Sequence, residues 1–315
     1  MKPNRAQQHE ALLTDIAQAM SNQNQRAALR LLGDNFRRGR EQALNFYPDL
    51  DGLRREAKAV RTKTMANLEF YLNQLTSNLR ALGAKVHIAP TPESAVEYML
   101  DVAERNGVRL AVKGKSITSE EIDLNAHLEA KGIRVVETDL GELILQMARE
   151  RPSHIIAPAI HKTKEQIAEL FSKELGRHIP AEPERIAEEA RLHLRNFFLK
   201  ADLGITGVNM AIAESGALML VTNEGNGRLV TSLPRIHIAL MGCEKVVPTL
   251  KDALMLLRLL IVSAVGQKIT SCVSFIRGPN LAAFPSAAPE RKELHVVILD
   301  NGRLTMSQDP HFNSA

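Results

Sequence analysis

From Arg5 to about Gly83 the apolar positions keep a helical rhythm. Leu12, Ile16 and Met20, then Leu29, Leu32 and Phe36, then Leu53, Val60, Met65, Leu68, Leu72 and Leu75 recur mostly at spacings of three, four and seven. Charged residues occupy the other faces, so residues 1–83 are expected to form a helical N-terminal arm. Tyr47-Pro48 interrupts it, because a residue before proline avoids the helical region, and Asp49 or Asp51 can cap the next helix. Gly83 supplies a C-cap.

Beyond Gly83 the rhythm changes to short apolar runs separated by helical stretches, the pattern of a parallel sheet with crossovers. Four such units are expected. Strands are predicted at 85–89, 108–112, 133–136 and 154–160, and each is followed by a helix with its own start signal. Thr91-Pro92-Glu93 opens the first, Thr118 with Glu121 the second as a capping box, Glu137-Thr138-Asp139 the third, and Thr163 with Gln166 the fourth, which ends at Gly176. A proline-bearing connector at 179–184 leads into a helix over 185–199.

The chain is then expected to turn at Gly204 and become mostly β. Val208, Met210 and Ile212 alternate with smaller residues, and Ala217 to Val221 is apolar on both parities, as in a strand covered on both faces. Asn226-Gly227 reads as a hairpin turn. Further strands are expected at 236–241, 269–276 and 294–299, with a helix at 250–260. The resulting fold class is α/β, a mostly parallel sheet with flanking helices over 84–303, followed by a flexible tail at 304–315.

Several polar residues fall where strands end, which is where open α/β sheets place ligands. Lys113-Gly114-Lys115-Ser116 joins a strand to a helix, and its amides and ammonium groups suit a carboxylate or phosphate, although the glycine spacing of a P-loop is missing. Glu120 and Glu121 suit a helix start, as do Thr138 and Asp139. His161 and Lys162 follow the fourth predicted strand and are expected to face the same crevice. Glu214 shares the parity of the apolar Met210 and Ile212, so a partner or a chemical role is expected for it. Ser215 beside it lacks a nucleophile-elbow context. Asn223, Glu224, Asn226 and Arg228 form a polar end to the predicted hairpin, and His237 interrupts the next apolar run.

Composition narrows the partners. The formal charge of +4, with no Trp, nine Phe and three Tyr, favours small anions slightly and leaves no basic, ring-interleaved stripe for nucleic acid. Cys243 and Cys272 are too few for a disulfide framework or a four-ligand metal site, so no metal ligands and no cofactor are assigned within this chain. The first twenty residues lack a signal-peptide core, and no uncharged apolar run is long enough to span a bilayer. A cytoplasmic protein, peripheral to a membrane at most, is expected.

The series VKGKSITSEEIDLN, VVETDLGE, HIIAPAIHKT, GITGVNMAIAESGALMLVTNEGNGRLVTSLPRIHIALMGCEKVVPTL and ILDNGR resembles the lactate-utilisation LUD domain family, in particular its iron–sulfur subunit, and covers nearly the whole chain. The resemblance implies a fold related to the NagB, RpiA and CoA-transferase group. It also implies a role in oxidising L-lactate to pyruvate together with sister lactate-utilisation subunits. Family members of this type continue into a ferredoxin-like domain whose cysteines hold [4Fe-4S] clusters, and those cysteines are absent here. A truncated form or a cluster-free variant is therefore expected, one that binds or docks without moving electrons alone. Two alternatives remain: a CoA-transferase-like or sugar-phosphate-isomerase-like enzyme using Glu214, and an assembly module whose arm forms a homo-oligomer.

Overall fold

A computed structural model describes residues 5–267, 270–279, 292–309 and 311. Four helices come first, α1 (Arg5–Ser21), α2 (Gln23–Leu44), α3 (Leu50–Ala66) and α4 (Leu68–Ala81). Asn22 and Asp49 cap the second and third by accepting the amides of Gln25 and Gly52. Gly83 has φ +88°, which ends α4 and turns the chain into the sheet.

The α/β body runs through β1 (Lys85–Ala89), α5 (Pro92–Arg105), β2 (Leu110–Lys113), α6 (Ile117–Glu121), α7 (Leu124–Ala130), β3 (Arg134–Glu137), α8 (Leu140–Ala148), α9 (Lys164–Leu175) and α10 (Pro183–Lys200). It continues through β4 (Leu203–Thr206), β5 (Met210–Ile212), β6 (Ala217–Thr222), α11 (Asn226–Ser232), β7 (Ile236–Gly242), β8 (Val246–Val247), α12 (Leu250–Val265), β9 (Cys272–Ile276), β10 (Glu293–Leu299) and α13 (Arg303–Gln308). Six strands form one sheet in the order β1-β10-β7-β4-β2-β3, all parallel where paired. A second sheet, β8-β5-β6-β9, is mixed.

Alternation of side chains sorts the core. Ile236, Ile238 and Leu240 of β7 pack with α5 and α7 on one face of the large sheet, whereas Ala239 and Met241 face α4 and the second sheet. Around β2 and β3 the second face is covered by α8, α9 and α10, with Phe171 fully buried among them. Helix α4 belongs to this body as much as to the N-terminal arm: Leu75 and Leu79 are fully buried against strands. No helix among the described residues is long and apolar enough to cross a membrane.

Several sequence expectations are corrected. Residues 154–160 form no strand. Pro152 precedes the segment and Pro158 interrupts it, and the amides of Ile156 and Ala157 donate to His154 Nδ1, so the backbone turns onto its own side chain. Asn226-Gly227 is not a hairpin turn but the start of α11. Gly225, at φ +74°, turns the chain, and Gly227 lies where a Cβ would meet Leu220 and Thr222 at 2.8 Å. The cap after β2 is Ser116, which accepts from Ser119 N, rather than Thr118, and the predicted helix breaks at Asp123 with φ 49°. Gly204 lies within β4 instead of a turn. Part of the predicted tail forms α13. The strand expected from 269 begins at Cys272, and 268–269 lie outside the described residues.

Candidate functional site

The carboxyl ends of β2, β3, β4 and β7 open onto a cleft of about 870 Å³, closed on its far side by β5 and β6 of the second sheet. Each strand end brings polar groups. After β2 come Lys115 and Ser116; Thr206 ends β4, with Asn209 just beyond; after β6 come Asn223, Glu224 and Asn226; after β7 come Glu244 and Lys245. Arg303 of α13 closes one end, and the irregular segment 155–160 forms a rim.

The amino terminus of α8 faces this cleft but is already satisfied by carboxylates of the chain itself. Asp139 accepts the amides of Gly141 and Glu142 at 3.1 and 3.3 Å, and Glu224 accepts that of Leu140 at 3.2 Å. An incoming anion is therefore left with ammonium groups and hydroxyls. Lys115 Nζ donates to the Ile156 carbonyl at 3.2 Å and lies 3.6 Å from Glu142, while Lys245 lies 3.3 Å from Glu244. Burial against the cleft wall, then the nearby Asp139, raises the Glu224 carboxyl above its ordinary range. Burial, then the acids Glu120 and Glu137, does the same for Glu142.

At the opposite end the charges are locked together. Arg303 grips both oxygens of Glu121 at 3.0 and 2.7 Å and reaches Glu244 at 2.8 Å through Nε. Asn301 adds a bond to Glu121 at 2.5 Å. Hydrogen bonding from Arg303 holds the Glu121 carboxyl below the usual range and raises the guanidinium in turn. The chain segment after β10 is thus clamped to the helix after β2.

Of the residues singled out in the sequence, Lys115, Ser116, Glu121, Asn223, Glu224 and Asn226 line the cleft. Thr138 lies beneath them, donating to the Lys113 carbonyl at 2.9 Å and accepting from Asn226 at 3.2 Å. Lys113 is buried, 2.9 Å from Glu137. The others lie apart. His161 and Lys162 both pair with Glu150, because the loop that replaces the expected strand carries them away from the strand ends. Arg228 reaches Ser274. Glu214 is exposed in the turn after β5, where its carboxylate accepts the Leu250 amide at 2.7 Å and so caps α12, and the Ser215 carbonyl accepts from Arg277. Sequence reasoning missed Thr206, Asn209, Lys245 and Arg303. The polar Asp300-Asn301-Gly302-Arg303 run directly after the last strand was the one available signal for Arg303.

His237 supports the cleft from below, 2.8 Å from the Thr206 hydroxyl. Complete burial, with Lys292 and His295 adding positive charge nearby, lowers its pKa to about 3. The unfolded chain protonates this ring near pH 6.5 and the folded chain does not, so its contribution to stability is complete above about pH 6.5 and is lost as pH falls toward 3. Urea titrations between pH 7 and 4.5 should show the native protein losing up to about 1.4 kcal/mol per pH unit more than a His237→Gln variant. Parallel pH profiles for the two proteins would exclude this role.

Comparison with known proteins adds to this geometry. The sequence profile described as LUD domain matches residues 72–299. The chain belongs to the LUD domain family. Among LUD relatives, Lactate utilization protein B of Bacillus licheniformis is 42% identical over 289 residues, covering 91% of this chain and 60% of that protein. The protein of the same name from Bacillus subtilis is 42% identical over 295 residues, covering 93% and 61%, and that from Geobacillus kaustophilus is 49% identical over 248 residues, covering 78% and 52%. The chain thus spans about three fifths or less of the length of these curated relatives. The crystal structure of a DUF162 family protein from Deinococcus radiodurans superposes with a TM-score of 0.41 at 13% identity, covering 74% of this chain and 98% of that one.

Proposed function

We propose that this chain is the LUD portion of a lactate-utilisation protein, and that its strand-end cleft binds a small carboxylate while sister subunits carry out electron transfer. The supporting observation is the convergence of Lys115, Lys245, Ser116 and Thr206 on one cleft inside the segment shared with proteins named for lactate utilisation. Two ammonium groups and two hydroxyls match the charge and lone pairs of a hydroxy- or keto-carboxylate.

Oxidation of lactate to pyruvate removes two electrons and two protons, and the [4Fe-4S] clusters implied by the resemblance need four thiolates each. The two cysteines of this sequence do not fit that requirement. Burial, with Glu244 and Asp300 nearby, pushes the Cys243 thiol up to about 12, the opposite of what a thiolate ligand needs. Any such clusters are assigned to residues outside this chain or to partner subunits.

Calorimetry with L-lactate, pyruvate and acetate tests the cleft. Lactate or pyruvate should bind, and Lys115→Gln should weaken that binding about tenfold, as expected for a lost charge-assisted hydrogen bond of about 1.4 kcal/mol. Absence of heat with lactate and pyruvate, or equal affinity in the variant, would refute carboxylate binding there.

A further inference from the structure

At the amino ends of β1 and β10, on the opposite edge of the large sheet from the cleft, lies a cavity of about 420 Å³ lined by Lys85, Tyr98, Arg105, Asn106, Glu293 and His295. Strand alternation puts Lys85 and His87 of β1, and Glu293 and His295 of β10, on the face that carries α5, with Lys85 directly beside His295 in register. Tyr98 and Arg105, seven residues apart, present one face of α5 to them.

Four of the lining side chains form one chain of hydrogen bonds. The Tyr98 hydroxyl lies 2.8 Å from His295 Nδ1, His295 Nε2 lies 3.0 Å from Glu293 Oε2, and Lys85 Nζ donates to that same oxygen at 2.9 Å. The Glu293 carboxylate can only accept, so Nε2 carries the imidazole proton and Nδ1 accepts from the phenol. The His87 ring lies flat on that of Tyr98, with 4.3 Å between centroids and 3° between planes, and holds the phenol in line. A hydroxyl, a base within reach of its proton and a carboxylate orienting that base are the parts of an activated nucleophile.

Protonation agrees with those roles. Burial raises the Tyr98 phenol above its ordinary range and lowers the pKa of His295, so at neutral pH the phenol keeps its proton and the ring is free to take it. Burial opposes ionisation of Glu293, but the bonds from Lys85 and His295 outweigh it and hold the carboxyl below the usual range.

The leaving group selects the substrate. A phenol ionises near pH ~10, so a tyrosyl ester is itself activated and forms only from a donor whose leaving group is as good or better. Alkyl esters and amides fail that requirement, whereas an acyl phosphate meets it. Lys85 and Arg105 outnumber Glu293 in the cavity wall and favour an anion, and a guanidinium matches the geometry of phosphate.

We propose that this cavity hydrolyses a small acyl phosphate, with Tyr98 as nucleophile, His295 as general base and Glu293 as the residue that positions His295. The Tyr98 oxygen bonds to the acyl carbon while its proton passes to His295 Nδ1. The bond from the acyl carbon to the phosphate oxygen breaks, and inorganic phosphate leaves with that proton. Water then attacks the tyrosyl ester, His295 takes one of its protons and returns it to the Tyr98 oxygen, and a carboxylic acid is released. One water is consumed and no electrons are transferred, so the step needs neither the cleft nor a redox partner.

Phosphorus NMR of the 315-residue chain with acetyl phosphate tests the proposal. Phosphate release should exceed the spontaneous rate by about tenfold or more. Tyr98→Phe, which keeps the ring on His87 and loses only the hydroxyl, should return it to the spontaneous rate, and peptide mass spectrometry should find acetyl on Tyr98 of the unmodified sequence. Glu293→Gln should slow release about tenfold and move the acid limb of the pH–rate profile to lower pH, because His295 without its carboxylate is a weaker base. Release at the spontaneous rate, or equal release by Tyr98→Phe, overturns the proposal. An unmoved acid limb in Glu293→Gln overturns the positioning role, and equal turnover of ethyl acetate overturns the choice of acyl phosphate. Lactate binding in the cleft has no bearing on any of these outcomes.

Discussion

Lys113→Met should destabilise the fold by about 3 kcal/mol or more, because removing one member of a buried ion pair leaves the other charged and unpaired. Glu137 lies 2.9 Å from the Lys113 ammonium with only 7% of its side chain exposed, so water cannot fully replace the ammonium. Urea denaturation at neutral pH measures the loss. The double variant Lys113→Met/Glu137→Leu removes both charges and should recover most of the stability, since the Coulombic gain of such a pair is offset by desolvation. A double variant no more stable than Lys113→Met would show that packing or the Ser119 and Asn125 bonds, and not the orphaned charge, set the cost.

Gly204→Ala should be nearly as damaging, at about 3 kcal/mol. A Cβ at this position of β4 would lie 2.0 Å from the carbonyl oxygen of Val230, and that atom belongs to the backbone of α11, which cannot step aside as a side-chain tip can. Gly33 makes the control. It lies inside α2 with nothing within 4 Å of its would-be Cβ, so Gly33→Ala should stabilise by about 0.5–1 kcal/mol through helix propensity alone. Thermal unfolding of both variants separates the two expectations: equal shifts would mean that the β4–α11 contact relaxes freely.

Local signals predicted local structure well. Thr163 and Gln166 form the expected capping box, Asp139 caps α8, and the strand at 85–89 and the helix at 140–148 have the observed bounds. Signals that depend on what a segment meets were misleading. Asn226-Gly227 is a strong hairpin signal on its own, yet the glycine serves close packing of α11 on Leu220 and Thr222. His154 to Ile160 is apolar enough for a strand, but its amides found a nearer acceptor in His154.

The site divides in the same way. Lys115, Ser116 and Glu121 line the cleft because they follow β2 of the parallel sheet, whose strand ends share one edge, whereas Asn223, Glu224 and Asn226 reach it from the end of β6 in the second sheet. Glu214 lies two residues past Ile212, where β5 and its apolar parity end, and its carboxylate accepts the Leu250 amide at the start of α12, a contact between segments 36 residues apart. The union of Glu121 with Arg303, residues 182 apart, could not be read from either neighbourhood. Periodicity, caps and motif order determined by themselves the α/β class, the parallel crossovers and the family, since each depends on residues close in the chain. Which charges pair, which glycines are pressed against backbone and which polar groups share a cavity were decided by tertiary structure alone, because these depend on distances between segments far apart in sequence.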